Sequence, residues 1–590
     1  MKFSLKISLV FGAVSFLTCC KDDFLDRTPL ANISDAQYWK SANDLKLYTN
    51  GYYNDIRLLP SLADWFQTGI YGLDADLGSD NMIKSTYNSD LNGESVLPAS
   101  NTNGKWDWTT LRGINYFMDN YRKVTDNATL VNPYVGETLF FRALFYFDKL
   151  KTFGDLPWIN APLTTTDSLI LQAPRLSRSV IADSIIHDLD RAIALLPGKA
   201  AAEPSRINKE IAMLLQSRVA LYEGSWEKYH QNTPFGVNGQ DGTRFFQKAA
   251  NAAEGLMKLN TYAIENTGAA NGYQRLFNQV DYSNSSEVMF WRKFDLSAGI
   301  THHWYLFIPL ALDRGVTKSL VDDYLCTDGK PASVSALYKG DNTLNDLKAN
   351  RDPRLAQTVY FPGDAITTNR PNGQPDAIFQ FPDLTSSANV PTGYVLRKGT
   401  NTEYFQQSGM GNSTSTQALI YFRYAEALLN FAEAKAELGT LTQGDLDQSI
   451  NVLRKRVQMP DLRLSSIVTD PKWLFPDLSP LLNEIRRERR VELACEGFRH
   501  DDIFRWAAAG KLIRGWQPKG ARLAQWGSLF SPETLGKYPV DANGYITPYQ
   551  KVAALSNGFQ FKVNRDYLSP IPTDQLVLNP NLKPNNPNWD

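Results

Sequence analysis

The chain has 590 residues, of which 43% are hydrophobic and 12% aromatic, and 61 basic against 62 acidic side chains leave a formal net charge of −1. Nucleic-acid-binding proteins usually carry a basic excess, so this balance argues against that class. The apolar content is sufficient for one large domain or several ordinary ones. Beyond the N-terminal segment, no apolar run approaches membrane-spanning length.

The N-terminus reads as a secretory signal. Two lysines precede an uncharged segment, 7–17, that is too short to cross a membrane as a helix. The segment ends in Leu-Thr-Cys-Cys, which resembles a bacterial lipobox, and Cys20 fits the lipidated position better than Cys19. We therefore predict a signal peptide over 1–19 and a lipid anchor on Cys20 that tethers the protein to a membrane. Ordinary secretion with an incidental cysteine pair is the alternative.

Two cysteines remain in the mature chain, Cys326 and Cys495. An oxidising compartment would permit one disulfide between them. Cys495 lies in the apolar phase of a helical pattern, which favours two buried free thiols instead.

Apolar residues recur at helical spacing over much of the chain. An early helix is capped by Ser34-Asp35, and the stretch from 262 to 417 is rich in Gly, Pro, Asn and Thr, which indicates loops, short strands and few helices. The Pro- and Asn-rich end predicts an irregular surface wrap. The further predicted helices cover 44–56, 106–123, 134–152, 179–196, 206–226, 245–259, 418–438, 446–457 and 481–510.

Neighbouring predicted helices form pairs, as in tetratricopeptide-like arrays, although no repeat of fixed period is visible. The predicted fold class is therefore mostly α. A helical scaffold over about 30–260 and 418–510 holds an irregular region at about 262–417 and a C-terminal wrap at about 511–590.

Eight segments in order resemble the SusD/RagB family of outer-membrane lipoproteins from Bacteroidota. One is the lipobox followed by DFLD, and two characteristic others are GETLFFRALFYFDKLKTFGDLPW at 136–158 and ERRVELACEGFRHDDIFRW at 488–506. The remaining segments lie at 205–226, 315–331, 351–355, 421–439 and 569–582.

This resemblance implies a single SusD-like domain over 20–590, with tetratricopeptide-like helix pairs and an irregular ligand-binding region. It implies a lipoprotein on the outer face of the outer membrane that captures oligosaccharides for a SusC-like TonB-dependent transporter. Lys21-Asp22-Asp23 resembles the family's surface-export signal, with an arbitrary polar spacer as the alternative. Three other functions stay open: peptide binding as in the RagB branch, a surface glycoside hydrolase, and a ligand-free gating role.

The 488–506 motif concentrates acidic and basic side chains on successive helical turns. Paired carboxylates such as Glu488 and Glu492 are what glycosidic cleavage needs. Adjacent guanidinium groups lower carboxylate pKa values, however, whereas a general acid needs a raised one. The motif therefore predicts a structural ion network between helices rather than an active site.

Other signals of catalysis are absent from the sequence. The five histidines form no metal-binding helical pair, and neither a nucleophile elbow nor a phosphate-binding glycine loop occurs. We predict a protein that is not an enzyme and has no cofactor, and the sequence leaves structural calcium open.

A glycan site needs aromatic rings that stack on the apolar faces of sugars, with polar groups nearby for the hydroxyls. The loops at 64–82 and 294–307 combine these features, and the loop at 101–108 is a third candidate through its tryptophans. The predicted ligand-contacting residues are Trp65, Phe66, Tyr71, Asp80, Asn81, Trp106, His302, Trp304 and Tyr305.

Overall fold

A computed structural model describes residues 38–589, except 56, 60–73, 102–104, 163–166, 267, 303–312, 383–389 and 404–414. The predicted signal peptide over 1–19, the lipidated Cys20, the export signal at 21–23 and the Ser34-Asp35 cap lie outside the described residues. So do five of the predicted ligand-contacting residues: Trp65, Phe66, Tyr71, Trp304 and Tyr305.

Helices make up most of the regular structure. In the first half of the chain they are α1 (Ala42–Asn54), α2 (Thr109–Asn120), α3 (Ala128–Phe153), α4 (Ser168–Leu171), α5 (Arg178–Leu195), α6 (Lys209–Tyr229), α7 (Thr243–Lys258) and α8 (Gly272–Leu276). They continue as α9 (Lys318–Asp323), α10 (Leu344–Lys348), α11 (Pro353–Thr358), α12 (Tyr424–Glu437), α13 (Gln443–Asp447), α14 (Ile450–Arg456), α15 (Pro480–Glu492), α16 (Arg499–Arg505), α17 (Ala509–Leu512), α18 (Pro532–Leu535) and α19 (Thr573–Leu578). Short 3-10 turns lie at Tyr121–Lys123, Pro371–Gly373, Leu464–Ser466, Leu523–Trp526, Ala553–Leu555 and Pro580–Leu582.

The described strands form three antiparallel pairs of two strands each. β1 (Met82–Lys84) pairs with β3 (Arg314–Val316), β2 (Val288–Arg292) with β6 (Leu419–Arg423), and β4 (Ala365–Thr367) with β5 (Ala377–Ile378). Each pair joins segments distant in sequence or closes a local turn, so the strands brace the helices rather than build a sheet layer.

The core is a stack of helices. α3 packs on α5, α5 on α6 and α6 on α7, and α12 then packs on both α7 and α15. The side chains between them are fully excluded from solvent, as at Leu139, Ile185, Leu215 and Ala249. The prediction of a mostly α fold built from helix pairs is confirmed.

Polar residues at the helix ends explain where the long helices begin and stop. The side chain of Asn127 accepts a hydrogen bond from the Thr129 N–H at the start of α3, and Asn208 does the same for Ile211 in α6. Gly154 ends α3 with a φ of 72°, and its N–H donates to Leu150 O at 3.0 Å. A residue with a side chain would be strained in that left-handed conformation.

Three predicted helices are wrong in part. The segment predicted as one helix at 418–438 begins as strand β6, and 446–457 is divided between α13 and α14. The segment at 481–510 is interrupted after α15 by a turn in which Cys495 has φ 60° and Gly497 has φ 84°. These left-handed residues cannot continue a helix, and long-range contacts hold them. The prediction of two free, buried thiols at Cys326 and Cys495 is confirmed.

One carboxylate joins four elements of the fold. Glu492, at the end of α15 and fully buried, accepts hydrogen bonds from Arg354 of α11 at 3.0 Å, Arg423 of β6 at 2.8 Å and Arg456 of α14 at 2.5 Å. Burial alone would raise the pKa of the Glu492 carboxyl. The three guanidinium groups, Arg456 foremost, outweigh burial and hold that pKa well below its usual range.

Two of these arginines, Arg354 and Arg423, also bind further buried carboxylates. The Glu488 carboxylate forms ion pairs with Arg354 at 2.7 Å and Arg454 at 2.8 Å. The Glu496 carboxylate forms ion pairs with Arg423 and Lys398, each at 2.6 Å. All these side chains are at most 5% exposed, so no substrate in solvent reaches them. The predicted structural ion network is confirmed.

The buried carboxylate of Glu227 has a different environment. Glu227 of α6 is fully buried; one of its oxygens accepts the Ser179 hydroxyl, and the other has no hydrogen-bond partner among the described residues. Burial, with a smaller contribution from Glu223 one turn earlier, raises the pKa of Glu227 to about 7.

We expect Glu492→Gln to destabilise the protein by about 3–5 kcal/mol, because it removes one charge and leaves the buried arginines undercompensated. Urea denaturation followed by circular dichroism measures the change. Glu254→Gln, which removes the exposed partner of Lys258 at 2.9 Å, should change stability by less than about 1 kcal/mol. A loss below about 1 kcal/mol for Glu492→Gln would contradict the central place of this carboxylate.

We expect Glu227→Gln to stabilise the protein at pH 8 by roughly 1–3 kcal/mol and to have little effect at pH 5. Because the pKa of Glu227 is higher in the folded than in the unfolded protein, its protonation favours the folded state. This contribution to the free energy of unfolding is complete below the unfolded-state pKa and is lost as the pH rises through about 7. Urea midpoints of both proteins at the two pH values test this, with the exposed Glu533→Gln as control. An equal difference at both pH values would disprove the assignment.

Candidate ligand-binding region

The strand pair β1–β3 joins two of the three predicted ligand loops. Met82 lies opposite Val316 and Lys84 opposite Arg314, so the residues after 60–73 meet those after 303–312. Beside this pair the Arg314 guanidinium binds both oxygens of Asp74, one of them at 3.0 Å, and Lys84 lies 3.3 Å from the same carboxylate. The structure therefore brings the bases of the two loops together.

His302 fixes the other side of the second loop. Its backbone exchanges two hydrogen bonds of 3.1 Å with Ser415, and its Nε2 lies 2.8 Å from Gln417 O. The ring meets Phe294 edge-on at 4.5 Å, and the residue is 1% exposed. Sequence reasoning predicted a ligand contact at His302, but its side chain is enclosed by protein and holds the loop base.

Asp80 and Asn81 are likewise engaged inside the protein. Arg499 binds the Asp80 carboxylate at 2.7 Å and Arg490 lies 3.0 Å from it. Burial would raise the pKa of Asp80, but these two arginines lower it to about 2. The Asn81 amide donates to Asp76 at 2.8 Å and accepts from Arg490 Nε at 2.8 Å. Both predicted ligand residues thus tie the first loop to α15 and α16.

Asp76 completes this attachment, and sequence reasoning did not single it out. Its two carboxylate oxygens accept the backbone N–H groups of Cys495 at 2.7 Å and Gly497 at 3.0 Å. Asp76 therefore caps the left-handed turn between α15 and α16. The sequence signal is the density of acidic residues in DADLGSDN at 74–81, a pattern that also suits a ligand-facing loop. We call 74–81 the acidic anchor.

Trp106 is part of the helical core. It is 4% exposed and meets Trp108 at 5.2 Å and Phe153 at 4.8 Å, both edge-on. A direct stacking contact between this ring and a sugar is therefore not available in this conformation. Its large apolar surface is used to close the end of α3.

Neither a metal centre nor a membrane-spanning helix is evident in the described part of the chain. Within it, no group of three or more His, Cys, Asp or Glu side chains is placed to hold a metal ion. No helix there is both long and apolar enough to cross a bilayer.

Two family models match the chain. The model described as "SusD family" matches residues 311–589, and the one described as "Starch-binding associating with outer membrane" matches 64–221. Together they cover the greater part of the sequence and include the acidic anchor, β3 and the whole of α15.

Similar proteins match over nearly the full length. SusD-like protein P2 of Formosa agariphila is 23% identical, over 97% of this chain and 97% of that protein. A SusD-like carbohydrate-binding protein of Bacteroides fragilis matches in structure with a TM-score of 0.69 and 22% identity, covering 92% of this chain and all of that one. A laminarin-binding SusD-like protein matches with a TM-score of 0.57 and 18% identity, over 93% of this chain and all of that one. The chain belongs to the SusD-like family.

Proposed function

We propose that the protein is a cell-surface lipoprotein that binds oligosaccharides and delivers them to a SusC-like TonB-dependent transporter. Membership of the SusD-like family is the observation that carries this proposal. The starch-binding, outer-membrane description of one matching model and the carbohydrate-binding and laminarin-binding relatives support it. The lipobox at Cys20 supplies the tether that keeps such a protein beside a membrane transporter.

We assign the glycan contacts to the aromatic side chains of the two joined loops: Trp65, Phe66 and Tyr71 in the first, and Trp304 and Tyr305 in the second. Their rings suit the apolar faces of pyranoses. The acidic anchor and His302 provide a fixed base for these loops, because each is held by buried hydrogen bonds. Fixed loop bases reduce the entropy lost when a ligand binds.

We expect Trp65→Ala and Trp304→Ala each to weaken glycan binding about tenfold or more, because removal of a stacking ring costs about 1.4 kcal/mol or more. Affinity electrophoresis against a polysaccharide panel that includes laminarin measures the change. Trp516→Ala, which removes a half-buried ring stacked on Phe559, is the matched control and should retain affinity. Full affinity in both loop variants, with an intact fold by circular dichroism, would refute the site.

Two further assays on the same purified proteins distinguish glycan binding from peptide binding and from glycoside hydrolysis. Calorimetry with mixed oligopeptides should show no binding, whereas tight peptide binding without glycan binding would establish a peptide cargo. Incubation with the glycans that bind should release no reducing sugar. Release that persists after removal of contaminating activities would establish a hydrolase.

We expect Cys20→Ala to move the protein from the membrane fraction to the soluble fraction, because each acyl methylene contributes about 0.8 kcal/mol of membrane affinity. Fractionation and metabolic labelling with an alkyne fatty acid measure anchoring. Cys19→Ala is the matched control and should keep both the label and the membrane location. Loss of anchoring in Cys19→Ala, with anchoring retained in Cys20→Ala, would show that the lipid is on Cys19 and would contradict the proposal.

A further inference from the structure

A small cavity lies against one face of α15. Helix positions 483, 486, 487 and 490 follow the spacing that puts side chains on one face, and here they face the loop at 473–475. The lining groups from the helices are Asn483, Arg486, Arg487 and Arg490 of α15, Arg499 of α16 and Asp323 of α9. Four guanidinium groups and one carboxylate therefore surround the space.

Three of these arginines have close ionic partners. Arg499 and Arg490 share Asp80, and Arg490 also binds Asp323 at 2.5 Å. Arg487 binds Asp470 at 2.6 Å. These pairs leave little charge uncompensated on that side of the cavity.

Arg486 is the exception. Its closest carboxylate oxygen is Glu437 Oε1 at 3.4 Å, and Glu437 already accepts Lys228 and the Tyr229 hydroxyl, each at 2.7 Å. Arg486 Nε has no hydrogen-bond partner among the residues that the structure describes, and the side chain is 3% exposed. Burial lowers the pKa of Arg486, as expected for a cation removed from water without a full counter-charge.

Aromatic rings hold the Arg486 guanidinium in place but do not neutralise it. Its central carbon lies 4.1 Å from the Trp506 ring centroid and 4.6 Å from that of Phe475. Cation–π contacts stabilise such a charge by about 0.5–2 kcal/mol, less than the cost of burying a charge that shares its closest carboxylate with another cation. A mobile counter-ion would supply the missing charge.

The size of the cavity decides which ion fits. Its volume of about 20 Å³ is sufficient for one atom-sized particle, little more than a single water molecule needs. Arg486 and Lys228 share the Glu437 carboxylate, so one positive charge beside the cavity has no carboxylate of its own, which favours an anion over a neutral water molecule. We propose that this cavity binds one monovalent anion of chloride size, held by the arginines of α15, and that it excludes tetrahedral oxyanions.

Bromide tests the site directly, because it replaces chloride and gives an anomalous signal. Crystals of the mature protein grown in sodium bromide should show one anomalous peak in the cavity, within about 3.5 Å of an arginine nitrogen. The peak should be absent in Arg486→Met, which keeps a long apolar side chain between the rings. It should remain in Arg142→Met, which removes a similarly buried arginine from its pair with Asp188. A cavity without bromide in the unmodified protein overturns the proposal.

Thermal unfolding gives a second test that needs no crystals. Because it compares anions on the unmodified protein, it remains informative if a variant folds poorly. At constant ionic strength, replacing gluconate by chloride should raise the Tm by roughly 1–3 °C and then saturate, because binding stabilises only the folded state. Sulfate should give no saturable rise. Equal Tm values in chloride and gluconate, or a chloride effect that survives in Arg486→Met, would count against an anion in this cavity.

Discussion

The fold depends on the compensation of buried charge around α15. This helix carries Arg and Glu side chains on nearly every face, yet almost all of them are excluded from solvent. Such burial is stable only if every charge meets an opposite one with good geometry. Glu492 meets this requirement with arginines from three other elements, so a single carboxylate fixes the relative positions of α11, α14, β6 and α15.

Helix α15 also holds the base of the candidate ligand-binding region in place. Arg490 of α15 and Arg499 of α16 hold Asp80, and the turn between these helices is capped by Asp76. Arg314, which follows the second loop, reaches back to Asp74. The charged motif at 488–506 therefore fixes the strand pair that joins the two candidate ligand loops.

Local pattern was sufficient to predict much of the scaffold. The spacing of Phe140, Ala143, Leu144 and Phe147 predicts α3, and these positions pack the core as expected. Pattern could not predict β6, because Leu419–Arg423 is as apolar as a buried helix and becomes a strand only through its pairing with Val288–Arg292. The break after α15 was also hidden, because Cys495 adopts a left-handed conformation that Asp76, over four hundred residues earlier, holds in place. The partners that Asp80, Asn81 and His302 have inside the protein were hidden for the same reason: polar residues in a loop can bind a sugar or bind the protein, and only their distant partners distinguish the two.

The ion pairs around Glu492 join residues that lie far apart in the sequence. Glu287, which binds Arg423 and Arg456, lies between the two regions that the family models match. The acidic anchor belongs to the first of these regions, while its partners Arg490 and Arg499 belong to the second. Each fragment would expose arginines or carboxylates whose counter-charges reside on the other. Among the described residues, buried ion pairs that hold the fold therefore cross between the two matched regions.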